Sequence, residues 1–311
     1  MDLLSTLPED LITVLIETLG KISKVSIIVL AHVSKFCYKV SNKYVVQNNI
    51  SMTLNSCDIA SEGLLDVLKW AGSSGCKKDP NTCYNAAKHG HLEILKWAIS
   101  NGYWWNFWMS IGAAENGHLE VLKWTVSIGC RLSSLVCTRA AENGHLEVIQ
   151  WAVSNGCEWN ADTCSYAALN GHFEILKWAR KNGCPWNPST CAWAAENGHF
   201  EILKWVHENG CNWDHETCSG AASGGQLEIL QWARSNGCEW NYETCTCAAE
   251  NGHLEVLKWA HENGCEWNFH TCREAVIHGH LEVVKWAISN GCPWDSHTAI
   301  LAKQKWPNEF S

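Results

Sequence analysis

One spacing constrains this chain more than any other feature. A tryptophan follows "LK", "IQ", "LQ" or "VK" at Trp70, Trp97, Trp124, Trp151, Trp178, Trp205, Trp232, Trp259 and Trp286, always 27 residues apart. Gly183, Gly210 and Gly237 keep the same step, and so do Cys137, Cys164, Cys191, Cys218, Cys245 and Cys272. A period of this length marks stacked supersecondary units, none of which buries its apolar face alone. Nine repeats cover about residues 56–296. A catalytic centre needs its acid, base or nucleophile once, converging from different places. Here His, Glu, Cys and Trp recur in nearly every repeat, which marks them as framework.

One repeat, "WNPSTCAWAAENGHFEILKWVHENGCNW" (Trp186–Trp213), reads as two short antiparallel helices. Asn187 suits an N-cap, and Pro188 suits the first helical position, where its missing N–H costs nothing. Asp79-Pro80 repeats this arrangement. The first helix is expected over about Pro188–Asn197, with Ala194-Ala195 giving a face small enough for close packing. His199 opens the second helix, which runs to about Asn209, and Gly210 is its left-handed C-cap. Phe200, Ile202, Leu203 and Trp205 spread over more than one stripe, so this helix is sandwiched between neighbours. The few residues before the next cap leave no room for a strand pair. Glu201 and Lys204, three apart, form a solvated face of weak ion pairs worth about 0.2–0.5 kcal/mol each.

Three recurring residue types invite a chemical reading. Cys184 and Cys191 stand for a repeated C-x6-C, too wide for the C-x2–4-C knuckle of a zinc site. Buried free Cys acts as a small hydrophobe, so structural thiols are favoured over a metal site or a disulfide ladder. His91, His118, His145, His172, His199, His253 and His280 recur, but the same position holds Gln226 and Leu64. A helix-start hydrogen bonder tolerates that exchange, whereas a ligand or catalyst does not. The tryptophans, such as Trp205 and Trp213, are read as core ridges. No metal and no cofactor is expected, and the chain is not read as an enzyme.

Recognition is expected where the repeats differ. Between the first-helix Cys and the Ala pair stand Tyr84-Asn85, Thr138-Arg139, Ser165-Tyr166 and Ala192-Trp193. The start of the first helix also varies, through Phe107-Trp108, Tyr242-Glu243 and Phe269-His270. Aromatics and Arg are the types enriched at interface hot spots. Trp108, Arg139, Tyr166, Trp193, Tyr242 and Phe269 are therefore the expected target-binding residues, along the first helices.

Residues 1–50 lack the repeat and read as a small helical module. Pro8 suits a first helical turn, with Glu9 and Asp10 near the positive end of the helix dipole. Leu11, Ile12, Leu15 and Leu19 form a stripe. The acids before the first apolar run do not fit a secretory leader, and Val25–Val33 is too short to span a bilayer. A net charge of −9 argues against nucleic acid and against anionic membranes. With no leader, the 18 cysteines are expected as thiols in a reducing cytoplasm. After Trp294, "DSHTAILAKQKWPNEFS" supplies one more first helix as a terminal cap, stopped by Pro307.

The pattern T-C-x-x-A-A-E-N-G-H-L-E-V-L-K-W-A-x-x-N-G-C-x-W-N resembles ankyrin repeats over about three quarters of the chain. It departs from them in length, 27 residues against about 33, and in replacing the Pro of "TPLH" by Cys. The shortening falls mainly where the ankyrin β-hairpin finger stands. The resemblance implies an all-α solenoid of about nine helix-turn-helix repeats without that finger, over residues 51–311. The N-terminal module resembles an F-box through Leu7-Pro8, Leu11, Leu30 and Val33-Ser34-Lys35, although Cys37 stands where Trp is common. That resemblance implies docking of Leu7, Pro8, Leu11, Leu30 and Val33 on the F-box-binding adaptor of cullin–RING ubiquitin ligases, with the repeats holding a target protein. The short Trp- and Cys-rich repeats are similar to those of giant DNA viruses, which implies a host cytoplasm. A monomer is expected. The alternative is a stand-alone scaffold that binds or sequesters a host protein without a ligase link.

Overall fold

The computed structural model describes residues 55–310, apart from Ser74 and Gly75. The module expected at residues 1–50, with Leu7, Pro8, Leu11, Leu30 and Val33, lies outside the described residues. Among the described residues every element is a helix and no strand occurs. The chain divides after Leu132 into two compact blocks.

The described residues of the N-terminal block form three helix pairs: α1 (Ser56–Ser61) with α2 (Leu65–Ser73), α3 (Thr82–Lys88) with α4 (Leu92–Ser100), and α5 (Trp108–Glu115) with α6 (Leu119–Ser127). The C-terminal block holds six: α7 (Ser134–Glu142) with α8 (Leu146–Ser154), α9 (Ala161–Leu169) with α10 (Phe173–Lys181), α11 (Pro188–Glu196) with α12 (Phe200–Glu208), α13 (His215–Ser223) with α14 (Leu227–Ser235), α15 (Tyr242–Glu250) with α16 (Leu254–Glu262), and α17 (Phe269–His278) with α18 (Leu281–Ser289). A single helix, α19 (Ser296–Lys305), packs on α17. Each block is thus a stack of antiparallel helix pairs, the solenoid the period implies.

Two glycine turns shape each repeat whose glycines are described. At Gly198 (φ 76°) the chain leaves α11, and the N–H of His199 donates to the Ala194 carbonyl at 2.9 Å. At Gly210 (φ 84°) it leaves α12, and the N–H of Cys211 donates to the Val206 carbonyl at 2.9 Å. Both close the orphan carbonyls of a helix C-terminus through a left-handed residue. The N-caps are mixed. The side chains of Asp214, Asn241 and Asn268 accept from the backbone N–H two residues on. Asn187 takes the extended capping backbone, but its Oδ1 accepts from the Ser165 hydroxyl at 3.0 Å instead.

The stacking runs through the first helices. Within the C-terminal block, α7, α9, α11, α13, α15 and α17 pack each on the next. Their Ala pairs, such as Ala167-Ala168 and Ala194-Ala195, are fully buried. Gly220 and Gly224 bring α13 closest to α11, because a Cβ at either would strike the Ala192 or Glu196 carbonyl. Leu176, Leu203 and Leu230 fill the space under the second helices with no exposure. Fully burying one such side chain is worth about 1.5–3 kcal/mol.

The histidine series does more than open a helix. His172 Nε2 hydrogen-bonds the Glu142 carbonyl at 3.1 Å, and His253 Nε2 the Ser223 carbonyl at 3.0 Å. Each bond reaches back to the preceding repeat. The ring lies over that repeat's left-handed glycine: a Cβ at Gly144 would stand 2.9 Å from His172, and one at Gly225 2.7 Å from His253. Gln226 replaces one imidazole by an amide and approaches Gly198 in the same way. Lys305 fills this socket for α17, donating to Val276 and Ile277 carbonyls at 3.1 and 2.9 Å.

The tryptophans are ridges on the outside of the stack, not core. Trp205 and Trp213 are half-buried. From Trp159 to Trp267 each loop Trp meets a second-helix Trp of the next repeat edge-on, as in Trp186–Trp205 at 6.0 Å and Trp213–Trp232 at 5.5 Å, while Trp294 meets Phe310. An indole is too large for the small-residue spine, so it covers the seam between second helices instead. Such pairs contribute about 0.5–1.5 kcal/mol beyond area burial.

Candidate recognition surface

The repeat is most disturbed between α4 and α5. Where the repeats of the C-terminal block read Cys-x-Trp-Asn or Cys-x-Trp-Asp, residues 103–108 read Tyr-Trp-Trp-Asn-Phe-Trp. Tyr103 takes the place of the loop Cys and turns inward, packing on Trp97 with ring centroids 5.8 Å apart. Displacing the small thiol by a phenol fills the interior with one aromatic and leaves the remaining rings outside. Trp104 is 59% exposed and Trp108 46%, with Trp105 and Phe107 exposed beside them. Phe107 and Trp108 stack at 5.1 Å. Asn106 Oδ1 accepts from the Trp108 N–H at 3.0 Å and fixes the turn into α5.

These rings border a pocket of about 230 Å³ lined by Pro80, Asn81, Tyr84, Trp104, Trp105, Asn106 and Trp108. Tyr84 has space there because the facing residue on α5 is Gly112, where a Cβ would sit 3.0 Å from its ring. Asn81 and Asn106 give the rim amide donors and acceptors. Several aromatic faces with polar amides at the edge match the composition of a protein-binding hot spot.

The first helices of the C-terminal block carry the other expected residues in two rows. Arg139, Tyr166 and Trp193 share one register. Tyr166 and Trp193 meet edge-to-face at 5.1 Å, while the Arg139 guanidinium holds Glu142 at 2.6 Å. Tyr242 and Phe269 open α15 and α17 and are exposed, with Phe269 against His270 at 4.1 Å. The structure therefore joins Tyr166 to Trp193 and places Tyr242 and Phe269 in a separate row. Tyr84 stands among the variable positions expected to carry recognition, whereas Trp104, Trp105 and the pocket walls Pro80 and Asn81 escaped the sequence reading of the site. The signal was five aromatics in six residues at the one loop where the thiol is lost.

Among the described residues no group of three or more His, Cys, Asp or Glu side chains is placed to hold a metal ion. No described helix is long and apolar enough to cross a membrane. The thiols are paired otherwise than the C-x6-C spacing suggests. Cys137 Sγ–H donates to Cys157 Sγ at 3.4 Å, a partner twenty residues away. The antiparallel helix pair returns the following loop to the first helix, whereas Cys157 and Cys164 belong to successive repeats.

Residues 137–217 match the family model for ankyrin repeats in three copies, and residues 245–288 that for ankyrin repeats in many copies. No curated protein sequence matches the chain. Among solved structures, the crystal structure of the human ASB11 ankyrin repeat domain is similar at 19% identity, over 50% of this chain and 84% of that one, with a TM-score of 0.42.

Proposed function

We propose that this ankyrin-repeat protein is a protein–protein interaction adaptor whose main target contact is the aromatic surface at residues 103–108. The observation that carries this reading is the exposure of Trp104, Trp105, Phe107 and Trp108 together, on a scaffold that elsewhere tucks its tryptophans into seams. A solvent-facing cluster of this kind costs solubility and adds nothing to the stack. The rows Arg139–Tyr166–Trp193 and Tyr242–Phe269 extend the target-binding surface. No catalytic chemistry on the target is part of this reading.

The finer reading makes the adaptor part of a cullin–RING ubiquitin ligase. Residues 1–50, through Leu7, Pro8, Leu11, Leu30 and Val33, dock on the F-box-binding adaptor subunit, and the repeats of 51–311 present a cytoplasmic target. The resemblance of "LPEDL" and "VSK" to an F-box supports it. The short Trp- and Cys-rich repeats support an origin among giant DNA viruses.

Affinity capture from a host cell extract with three forms of the chain tests both layers. Removing residues 1–50 should abolish capture of the ligase adaptor and keep the target. Trp104→Ala with Trp108→Ala should weaken the target by at least about tenfold and keep the ligase adaptor. Undiminished target capture by the double variant would overturn the aromatic site. Failure of the intact chain to capture any ligase subunit would leave the stand-alone scaffold as the function.

A further inference from the structure

The two blocks differ at one buried place in every repeat. The first-helix position and the loop position twenty residues later face each other across the end of the helix pair. In the C-terminal block both positions are Cys in all six repeats: Cys137/Cys157, Cys164/Cys184, Cys191/Cys211, Cys218/Cys238, Cys245/Cys265 and Cys272/Cys292. In the N-terminal block one member of each pair is something else: Ser56 with Cys76, Cys83 with Tyr103, and Ser110 with Cys130. Packing alone therefore does not demand two thiols here, because serine and tyrosine fill the same positions in the same fold.

The six Cys–Cys pairs are in contact. Sγ of Cys137 and Cys157 lie 3.4 Å apart, Cys245 Sγ lies 3.9 Å from the Cys265 carbonyl, Cys272 and Cys292 share one buried cluster, and the thiols of all five further pairs lie close enough to shift each other's ionisation. All are free thiols. The loop thiol makes a further bond, to the carbonyl of the residue capping its own first helix: Cys157 donates to Ser133 and Cys265 to Asn241, both at 3.2 Å. That bond holds the loop sulfur against the helix sulfur. In four pairs the hydrogen bond from the helix thiol favours the thiolate at Cys157, Cys211, Cys265 and Cys292, whose pKa values lie below the ordinary thiol value, whereas at Cys164/Cys184 the same kind of bond pushes the loop thiol of Cys184 up. A thiolate is the nucleophile in thiol oxidation, and a resolving thiol beside it directs the product to a disulfide.

We infer that the C-terminal block carries six oxidisable dithiol sites, each closing to a disulfide within its own repeat when a hydroperoxide reaches it. In the first step one thiolate of the pair, the loop member at Cys157, Cys211, Cys265 and Cys292, attacks a peroxide oxygen. The O–O bond breaks, hydroxide leaves and takes up a proton as water, and the sulfur becomes a sulfenic acid. The partner thiol then attacks that sulfur, the S–S bond forms, and the sulfenic oxygen leaves as a second water. Two thiol hydrogens and two electrons pass to hydrogen peroxide, which becomes two waters. Each link ties the first helix to the loop behind the second, so oxidation stiffens the C-terminal block repeat by repeat and leaves the N-terminal block untouched.

The test treats the folded full chain with hydrogen peroxide, then denatures it, alkylates remaining thiols and maps linked peptides by mass spectrometry. Of the 18 cysteines, those lost to alkylation should be recovered as Cys137–Cys157 and its five counterparts, reversibly with dithiothreitol. Cys137→Ser should remove that link alone and leave the other five. Ser110→Cys should create a new one, to Cys130, in the block that otherwise forms none. Links between Cys157 and Cys164 or between separate chains in place of these would overturn the inference. So would retention of the twelve paired thiols, or sulfinic acids without cross-links.

Discussion

The N-terminal and C-terminal blocks share a fold and differ in regularity. The C-terminal block repeats its loop tryptophan without a gap, from Trp159 to Trp294, and its paired thiols without exception. The N-terminal block breaks both series: Lys78 and Leu132 stand in the loop-tryptophan row, and Ser56, Tyr103 and Ser110 stand among the thiols. The interiors are nevertheless alike, with Leu95 and Leu122 as fully buried as Leu176 and Leu203. Irregularity therefore falls on loops and first helices and spares the large apolar side chains beneath the second helices. In the N-terminal block that irregularity produced an aromatic surface, and in the C-terminal block its absence left an unbroken row of thiol pairs.

The largest test asks whether the cores are equivalent. Leu122→Ala and Leu176→Ala should each destabilise the protein by about 3 kcal/mol, read by denaturant unfolding. A clearly smaller cost at Leu122 would break the comparison by showing a looser N-terminal interior. The sockets come next. Gly90→Ala and Gly171→Ala combine a left-handed backbone with a Cβ within 3 Å of His118 or His199, and each should cost about 2–3 kcal/mol. Gly183→Ala has a similar φ of 80° but open space around it, so it should cost about 1–2 kcal/mol from the backbone alone. Equal losses at Gly171 and Gly183 would remove the histidine contact from the account.

A subtler contrast is chemical. Cys130 and Cys157 occupy equivalent loop positions and are each 5% exposed. Burial pushes the Cys130 thiol up to about 11, whereas the hydrogen bond from Cys137 brings Cys157 below its ordinary value. At pH 8 Cys157 should react with iodoacetamide on the order of tenfold faster, and Cys130 should gain reactivity only as pH rises toward 11. Equal rates would show that the facing residue does not control the thiol. The smallest effect concerns indoles. Trp104→Ala should shift stability by less than about 0.5 kcal/mol. Trp186→Ala, which loses the Trp205 edge contact and the Arg180 guanidinium 4.2 Å above its ring, should cost about 1–2 kcal/mol.

Much of this was legible in the residues. Helix starts, glycine turns and the absence of strands follow from Asn-Pro, Asn-Gly and the 27-residue step, because those signals are local. The helix over Pro188–Glu196 ends one residue before the expected Asn197, within the fraying of any cap. Partners across repeats were not legible. That Cys137 meets Cys157 rather than a neighbour seven residues away, or that His172 bonds the Glu142 carbonyl, depends on how antiparallel helices return on themselves. The aromatic loop was half legible: Phe107 and Trp108 stood out as variable positions, but Trp105 was hidden inside a framework row.

The histidine resting on the previous repeat's glycine has a genealogical corollary. The notch a repeat presents forward is the same notch it occupies behind, so removing or duplicating one 27-residue length rejoins like to like. A gene built this way can lengthen or shorten by whole modules with no junction to be re-engineered, while any cut out of phase would strand an imidazole without its seat.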